Sequence, residues 1–213
     1  MEYITASCVI TERAVYKNGD KVFAAGGPGT TDFRGTGANA DLWPALYQHF
    51  NWQYPKYFKM DNLSRLGFAA AELLLSGWNS AAYDPEDVAV VLSNANSSLD
   101  TDYRYTGTTR EIPSPSVFVY TLPNIVIGEI CIRHRFKGEN AFFLSPVFDA
   151  GLLARYVTIL LGQDIARVCI AGWVELLGDR FKAALFLIEK KPADGALSFT
   201  PENMDRIFRN LTQ

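Results

Sequence analysis

The chain has 213 residues, of which 48% are hydrophobic, 13% aromatic and 20% charged, and its formal net charge at pH 7 is −3. This composition excludes disordered, collagen-like and coiled-coil proteins, and no basic face is dense enough to indicate a protein that binds nucleic acid. The length predicts one domain over residues 1–213.

Cysteine and histidine usage argues against metal or disulfide chemistry. Cys8, Cys131 and Cys169 are far apart and form no CxxC pair, and the two histidines are too few for a His-rich metal site. Glu2 stands where a signal peptide carries positive charge, and no run approaches the roughly 18 apolar residues that cross a bilayer. We therefore expect a cytoplasmic protein without a membrane span, metal or cofactor.

The first half of the chain predicts a strand, a helix and a second strand. Residues 3–11 alternate as a strand does, and residues 18–58, rich in glycine and then in aromatic residues, predict a long irregular connection with short helical pieces. Asp61 is a suitable N-cap for a helix whose leucines repeat at helical spacing, with Gly77 as its stop. The apolar run 88–92 is typical of a strand buried on both faces, and a polar loop follows it.

The second half continues the alternation with six more elements. They are a helix after Asn124, a short buried strand at 141–144, a helix capped by Asp149, strands at 168–176 and 183–188, and a last helix opened by Pro201. This order predicts an α/β fold, with a mixed sheet covered by helices on both faces.

One stretch of the sequence is more specific than these patterns. Residues 121–138, TLPNIVIGEICIRHRFKG, resemble the segment of β-ketoacyl synthases in which T-[LM]-P-N leads into a helix with a central glycine and ends in a K/R-G pair. Weaker similarity extends over residues 58–190 and includes RVCIAGWVE, which is similar to a family strand ending in Ala-Gly-Gly-x-Glu. The resemblance implies a thiolase-like fold, of which this chain is one half. The motif positions are Thr121, Leu122, Pro123, Asn124, Gly128, Lys137 and Gly138.

Two departures from the family bear on activity. Active ketosynthases carry a nucleophilic cysteine after the next strand, whereas this chain has NAFFLSPVFDAG there, with Val147 or Phe148 at the nucleophile position. Neither side chain attacks a thioester, because the acyl group is carried by a thiolate. The family's catalytic histidines belong to a second half that this sequence does not include. The resemblance therefore implies a chain without catalytic residues of its own.

The sequence is similar to short chain-length-factor-like proteins of pathways that make aryl polyene and flexirubin pigments. The resemblance implies a heterodimer with an active β-ketoacyl-ACP synthase in fatty acid or polyketide-type biosynthesis, or a homodimer, with the acyl carrier protein as an indirect partner. One segment is expected to reach the partner's acyl tunnel, with Phe118 or Tyr120 as its floor, and one strand to pair with the partner. These interface residues are Val117, Phe118, Val119, Tyr120, Thr121, Leu122, Asn124, Ala141, Phe142, Phe143 and Leu144.

Other interpretations of single motifs remain open. The glycine-rich stretch 24–37 invites a phosphate-loop interpretation but lacks the Gly-Lys-Ser/Thr ending. Cys131 and His134, three residues apart on a predicted helix, have the spacing of a thiol–imidazole dyad, although Cys131 lies among isoleucines. His134 also belongs to RHRFK, a basic stretch that fits an acidic carrier protein.

Two further alternatives concern the rest of the chain. Ser145, His134 and Asp149 supply the residue types of a hydrolase triad, but no G-x-S-x-G surrounds the serine. A small acyl hydrolase or acyltransferase that uses Cys131 or Ser145 is one alternative function, and a stand-alone acyl-binding module is another. His49 and the aromatic run 43–58 are expected to pack in the core rather than to bind a ligand.

Overall fold

The computed structural model of the chain describes residues 1–24, 38–110 and 112–210. Within these ranges eight strands form one sheet: β1 Tyr3–Thr11, β2 Ala14–Lys17, β3 Asp20–Ala24, β4 Val88–Asn94, β5 Asn140–Leu144, β6 Val168–Leu177, β7 Arg180–Glu189 and β8 Leu197–Ser198. Their order is β3-β2-β1-β7-β6-β4-β5, with β8 beside β1. The β6–β4 and β4–β5 pairs are parallel and the others antiparallel, so the sheet is mixed, as predicted.

The helices cover both faces of the sheet, which confirms the predicted layers. One core lies between the sheet and α1, α2 and α5, and a second lies between the opposite face and α6 and α7, while α3 and α4 pack against each other beside α2. The bounds are α1 Ala38–His49, α2 Asn62–Leu74, α3 Leu99–Thr108, α4 Pro115–Phe118, α5 Ile125–His134, α6 Ala150–Gly162 and α7 Pro201–Asn210, with short 3-10 helices at Pro55–Lys59, Ser80–Ala82 and Pro85–Asp87.

The start of α2 shows why the predicted cap is effective. Asp61 Oδ1 accepts a hydrogen bond from the Ser64 backbone N–H at 3.0 Å, which satisfies one of the free donors of the first turn. Its other oxygen accepts from Thr101 Oγ1 at 2.6 Å, so the cap also fixes α3 to α2. Asp61 is buried, and burial raises the pKa of its carboxyl even though these hydrogen bonds oppose the shift.

The connection predicted over residues 18–58 contains helical pieces, as expected, in α1 and a 3-10 helix, but it also contains the strand β3, which was not predicted. The β3 strand forms a hairpin with β2 through Asn18 and Gly19, both at positive φ. The Asn-Gly pair is a strong hairpin signal that the composition of the stretch obscured. The phosphate-loop candidate falls almost entirely on residues 25–37, which lie outside the described residues.

The polar loop predicted after β4 is also wrong, because residues 99–108 form α3. Its threonines, aspartates and glycine have low helix propensity, so the local signal was weak. Asp100 and Asp102 lie in the first turn, where negative charge is favourable. Tertiary contacts with α2 and α4 supply the remaining stabilisation.

Most of the aromatic run 43–58 packs in the core, as expected, although Phe58 at its end is exposed. Trp43, Trp52 and Tyr57 are buried against the sheet face that α2 covers. The His49 ring lies 5.1 Å from Phe23 and 4.7 Å from Phe50, centroid to centroid. Packing in the core therefore explains the buried aromatic residues of this stretch.

Candidate functional site at the β5 edge

The strand β5 lies at the edge of the sheet, which corrects the prediction of a buried strand. Within the described part of the chain it pairs only with β4. Ala141, Phe142 and Phe143 are partly buried, and Leu144 is 60% exposed. Phe142 packs on the core under α2 and Phe143 on the core under α6, so only one long edge of this apolar strand is open.

The hydrogen bonds to β4 define which backbone groups of β5 face the open edge. Val90 N–H donates to Glu139 O at 3.0 Å, and Ser145 N–H donates to Asn94 O at 2.9 Å. Because the direction of backbone groups alternates along a strand, the odd-numbered positions face β4. The N–H and C=O groups of Phe142 and Leu144 therefore face outward and are free to pair with another strand.

The segment expected to reach a partner's tunnel, residues 117–122, divides into exposed and inward-facing side chains. Phe118, Val119 and Leu122 are exposed, Phe118 at 57%, and Val117 and Thr121 are partly buried. Tyr120 turns inward instead, and its hydroxyl donates to Glu129 Oε1 at 3.0 Å. Of the two residues expected as a tunnel floor, Phe118 is therefore the one available at the surface.

Glu129 is a buried carboxylate that the sequence analysis missed. Lys56 Nζ lies 2.7 Å from its Oε2, and Tyr120 binds its other oxygen. Burial, followed by the hydrogen bond and charge of Glu129, raises the pKa of Tyr120. No local pattern revealed this group, because Lys56 and Glu129 come together only in the folded chain.

The loop after β4 joins residues 117–122 to the β5 edge. Ser98 Oγ donates to Thr121 O at 2.8 Å, and Asn94 O accepts from Ser145 N–H, so both parts of the candidate site are attached to the carboxyl end of β4. Asn124 is exposed and makes no side-chain cap for α5.

Glu175 holds that loop in place. Its carboxylate accepts from Ala95 N–H at 2.6 Å, from Asn96 N–H at 3.2 Å and from the Asn96 side-chain amide at 2.9 Å. The similarity of RVCIAGWVE to a ketosynthase strand includes Glu175 but gives no indication of this positioning role.

The two candidates for the nucleophile position have different environments. Val147 is 68% exposed. Phe148 is partly buried, and its ring stacks on Phe208 of α7 at 4.2 Å and lies 6.3 Å from both Trp173 and Phe186. Neither position offers a thiol, hydroxyl or carboxylate to an acyl group.

The thiol at Cys131 is poorly suited to nucleophilic attack. Burial raises its pKa to about 11, so at neutral pH the thiolate is scarce. His134 Nε2 lies 3.1 Å from Glu72 Oε1, so the imidazole is directed to a carboxylate. Burial also raises the pKa of Cys8, to about 12, and that of Cys169.

Ser145, His134 and Asp149, the residue types of a hydrolase triad, make separate contacts. Asp149 Oδ1 caps α6 by accepting from Leu152 N–H at 2.8 Å, and no hydrogen bond or ion pair among the described residues joins it to His134 or Ser145.

Among the residues that the structure describes, no group of three or more His, Cys, Asp or Glu side chains could hold a metal ion. None of the helices described has both the length and the apolarity to cross a membrane.

Glu72 forms a compact ion cluster with the end of α5. Arg133 donates to both of its oxygens at 2.8 and 3.1 Å. Burial raises the pKa of Glu72, but the hydrogen bonds and charges of His134 and Arg133 outweigh burial and place the pKa at about 2, against 4.5 for an ordinary glutamate. A carboxyl whose pKa is lower in the folded chain than in the unfolded chain stabilises the fold at a pH above the unfolded-chain pKa. This stabilisation is lost as the pH falls towards the folded-chain pKa.

We therefore expect Glu72→Gln to flatten the loss of stability between pH 4.5 and about 2. After allowance for solvent screening, the contribution that disappears is about 1–2 kcal/mol. Urea unfolding of both proteins across this range measures it. Glu86→Gln, which removes an exposed carboxylate, is the control and should keep the wild-type slope; equal slopes for wild type and Glu72→Gln would contradict the assignment.

Comparison with known proteins gives structural similarity alone. No protein-family model matches the sequence, and no curated protein matches it. The structure is similar to the ishigamide ketosynthase/chain length factor, with 17% identity and a TM-score of 0.60 over 89% of this chain and 62% of that chain.

Two further solved structures are similar. One is the ketosynthase ApeO in complex with its chain length factor ApeC from Xenorhabdus doucetiae, with 16% identity and a TM-score of 0.52 over 67% of this chain and 63% of that one. The other is a β-ketoacyl synthase from Burkholderia phymatum, with 14% identity and a TM-score of 0.58 over 89% and 59%. The predicted thiolase-like ketosynthase fold is thus confirmed, and the chain spans about three fifths of the length of these structures.

Proposed function

We propose that this chain is a catalytically silent, chain-length-factor-like subunit that pairs with an active β-ketoacyl synthase during acyl-chain elongation on an acyl carrier protein. The observation that carries the proposal is the open, apolar edge of β5. Its fold, shared with solved ketosynthase and chain length factor structures, supports the choice of a ketosynthase as the partner.

The β5 edge lacks the features by which proteins protect exposed strands. Such edges are usually shortened, covered, or interrupted by lysine, proline or a bulge, because free N–H and C=O groups recruit other strands. The strand Asn140–Leu144 reads NAFFL and contains neither a charge nor a proline. Pairing with a partner strand satisfies these groups and also covers Leu144, so association stabilises the strand in two ways.

The silence of the subunit rests on the side chains present. Val147 and Phe148 have no nucleophilic atom, and Cys131 stays protonated at neutral pH. In the proposed complex the partner ketosynthase supplies the thiolate and the catalytic histidines, and this chain contributes part of the wall of the acyl tunnel.

Phe118 is the residue we propose as a wall of the acyl tunnel in the complex. It is exposed on α4, and its ring contacts Tyr105 at 5.3 Å, which orients it. We expect Phe118→Ala to shift the products of the complex towards longer chains. One methylene against such a wall is worth about 1–3 kcal/mol, enough to change a product ratio about tenfold or more.

Mass spectrometry of the products made by the purified complex measures this shift. Tyr105→Phe, which keeps the ring beside Phe118, is the control and should leave the distribution unchanged. An unchanged distribution for Phe118→Ala, from a complex that still forms, would remove Phe118 from the tunnel.

Co-expression with candidate ketosynthases, followed by size-exclusion chromatography with in-line mass determination, tests the proposal. The expected result is a one-to-one heterodimer that elongates malonyl units only when both chains are present. A chain that stays alone and turns over an acyl thioester would contradict it and favour the hydrolase or acyltransferase alternative. Tight binding of a fatty acyl chain by the isolated protein, without heterodimer formation, would favour the acyl-binding module.

A further inference from the structure

A small cavity opens where the 3-10 helix Pro55–Lys59, the start of α2, and α3 and α4 meet. Its volume is about 170 Å³, and its polar lining residues include Lys59, Arg65, Arg104 and Ser116. Pockets for drug-sized ligands occupy about 300–1,000 Å³. At about 170 Å³ this cavity lies below that range, so it has room for a small group rather than for a whole drug-sized molecule.

The charge of this cavity is unbalanced. Lys59, Arg65 and Arg104 contribute three positive charges, and Asp61 is the one carboxylate among the lining residues. Both oxygens of Asp61 are already engaged by the Ser64 N–H and the Thr101 hydroxyl. Within the described ranges, none of the three cations forms an ion pair.

The two arginines at the opening differ in exposure, since Arg65 is partly buried and Arg104 is exposed. Arg65 is held in place by backbone carbonyls, since its Nε donates to Tyr57 O at 3.2 Å and its terminal nitrogen donates to Phe58 O at 2.7 Å. These acceptors are neutral, as is Asn62 Oδ1 at 3.5 Å from Nη1, and the charge that offsets Arg65 comes from nearby Asp61. Burial lowers the pKa of Arg65, and the charge of Arg104 adds to that effect. A bound anion would relieve both penalties.

We propose that this cavity is an oxyanion site that takes the phosphate group of a phosphate ester. The planar, multiply donating guanidinium groups of Arg65 and Arg104 suit phosphate oxygens. Ser116 lines the cavity as well, and its hydroxyl shares a hydrogen bond with that of Ser114 at 3.0 Å. Val117 lines the same cavity and exposed Phe118 follows it, so an organic group attached to the phosphate meets an apolar surface. The inference goes beyond the proposed function and concerns the isolated chain, because the proposed complex places Phe118 at the partner's acyl tunnel instead.

Titration of the isotope-labelled full chain with inorganic phosphate and with phenyl phosphate, at constant ionic strength, tests this site by NMR. We expect saturable shifts of the Thr101, Arg104 and Ser116 amides, and tighter binding of phenyl phosphate than of inorganic phosphate. Arg104→Gln should raise the dissociation constant about tenfold or more, as the loss of a charge-assisted hydrogen bond does. Arg104 is exposed, so the variant is expected to fold, which circular dichroism verifies.

Lys191→Gln is the matched control, since it removes an exposed positive charge that lines a different cavity. It should bind both ligands as the wild type does. Absence of saturable shifts at millimolar ligand, or equal affinity in the Arg104→Gln variant, would overturn the site. Equal affinity for the two ligands would overturn the assignment to an ester and leave a site for free phosphate.

Discussion

Replacing Leu144 by proline is expected to weaken association with the ketosynthase partner strongly while the isolated chain stays folded. The N–H of the next residue, Ser145, donates to Asn94 O of β4. Because backbone groups alternate in direction along a strand, the Leu144 N–H faces the open edge. Proline removes this donor and places its ring where a partner strand must approach. No hydrogen bond within the chain is lost, since the side of β5 that faces β4 is untouched. The lost hydrogen bond and the partner acceptor left unsatisfied are worth about 1–3 kcal/mol, which lowers the affinity about tenfold to a hundredfold.

The measurement is size-exclusion chromatography with in-line mass determination of the co-expressed pair, with thermal unfolding of the isolated variant. Leu144→Ala is the matched control, because it removes the exposed side chain and keeps the N–H. We expect it to weaken the complex modestly. If Leu144→Pro and Leu144→Ala weaken it equally, the backbone edge does not pair and the contact is made by side chains alone.

Gly172→Ala is expected to cost about 3 kcal/mol or more of the free energy of unfolding. Gly172 lies in β6 between β4 and β7, opposite Leu92 and Leu185. A Cβ atom built there would lie 2.0 Å from Ala184 O and 2.9 Å from Leu185 Cα. These are backbone atoms of a central strand, so β7 must move or β6 must bend. Overpacking of a core that can adjust costs about 1–3 kcal/mol, and this position has little freedom to adjust.

Urea denaturation of the variant measures this loss. Gly128→Ala is the matched control, because the same substitution in α5 meets no atom within 4 Å. There the change should stabilise the helix by up to about 1 kcal/mol, since alanine has the higher helix propensity. A small loss at Gly172, similar in size to the effect at Gly128, would show that β6 and β7 can separate without cost.

Local signals in the sequence were sufficient to predict the helices and strands of the interior. The cap at Asp61 and the leucine spacing located α2, and the continuous apolar run located β4, which is buried along its whole length. The α3 helix was missed because Thr106, Gly107 and Thr108 favour other structures, and contacts distant in sequence decided the outcome.

The candidate site was only partly predictable. An apolar run such as Asn140–Leu144 has the same appearance whether the strand is central or at an edge, because the difference lies in strand order rather than in the run itself. The resemblance to ketosynthases pointed to this strand and to residues 117–122, and their role as an interface stays a prediction. The inward turn of Tyr120 depends on Glu129 and Lys56, which no local pattern connects.

The place of β1 in the sheet has a consequence for synthesis on the ribosome. It pairs with β7 along most of its length, and Thr5 and Glu189, which share a hydrogen bond, are 184 residues apart in the chain. At about 5–20 residues per second, β1 waits roughly ten to forty seconds for that partner. During this time β1 has the β2–β3 hairpin beside it and α2 on one face, while its other face, which packs under α6 and α7, is exposed. A nascent chain of this protein is therefore expected to depend on chaperones that shield that face of its first strand.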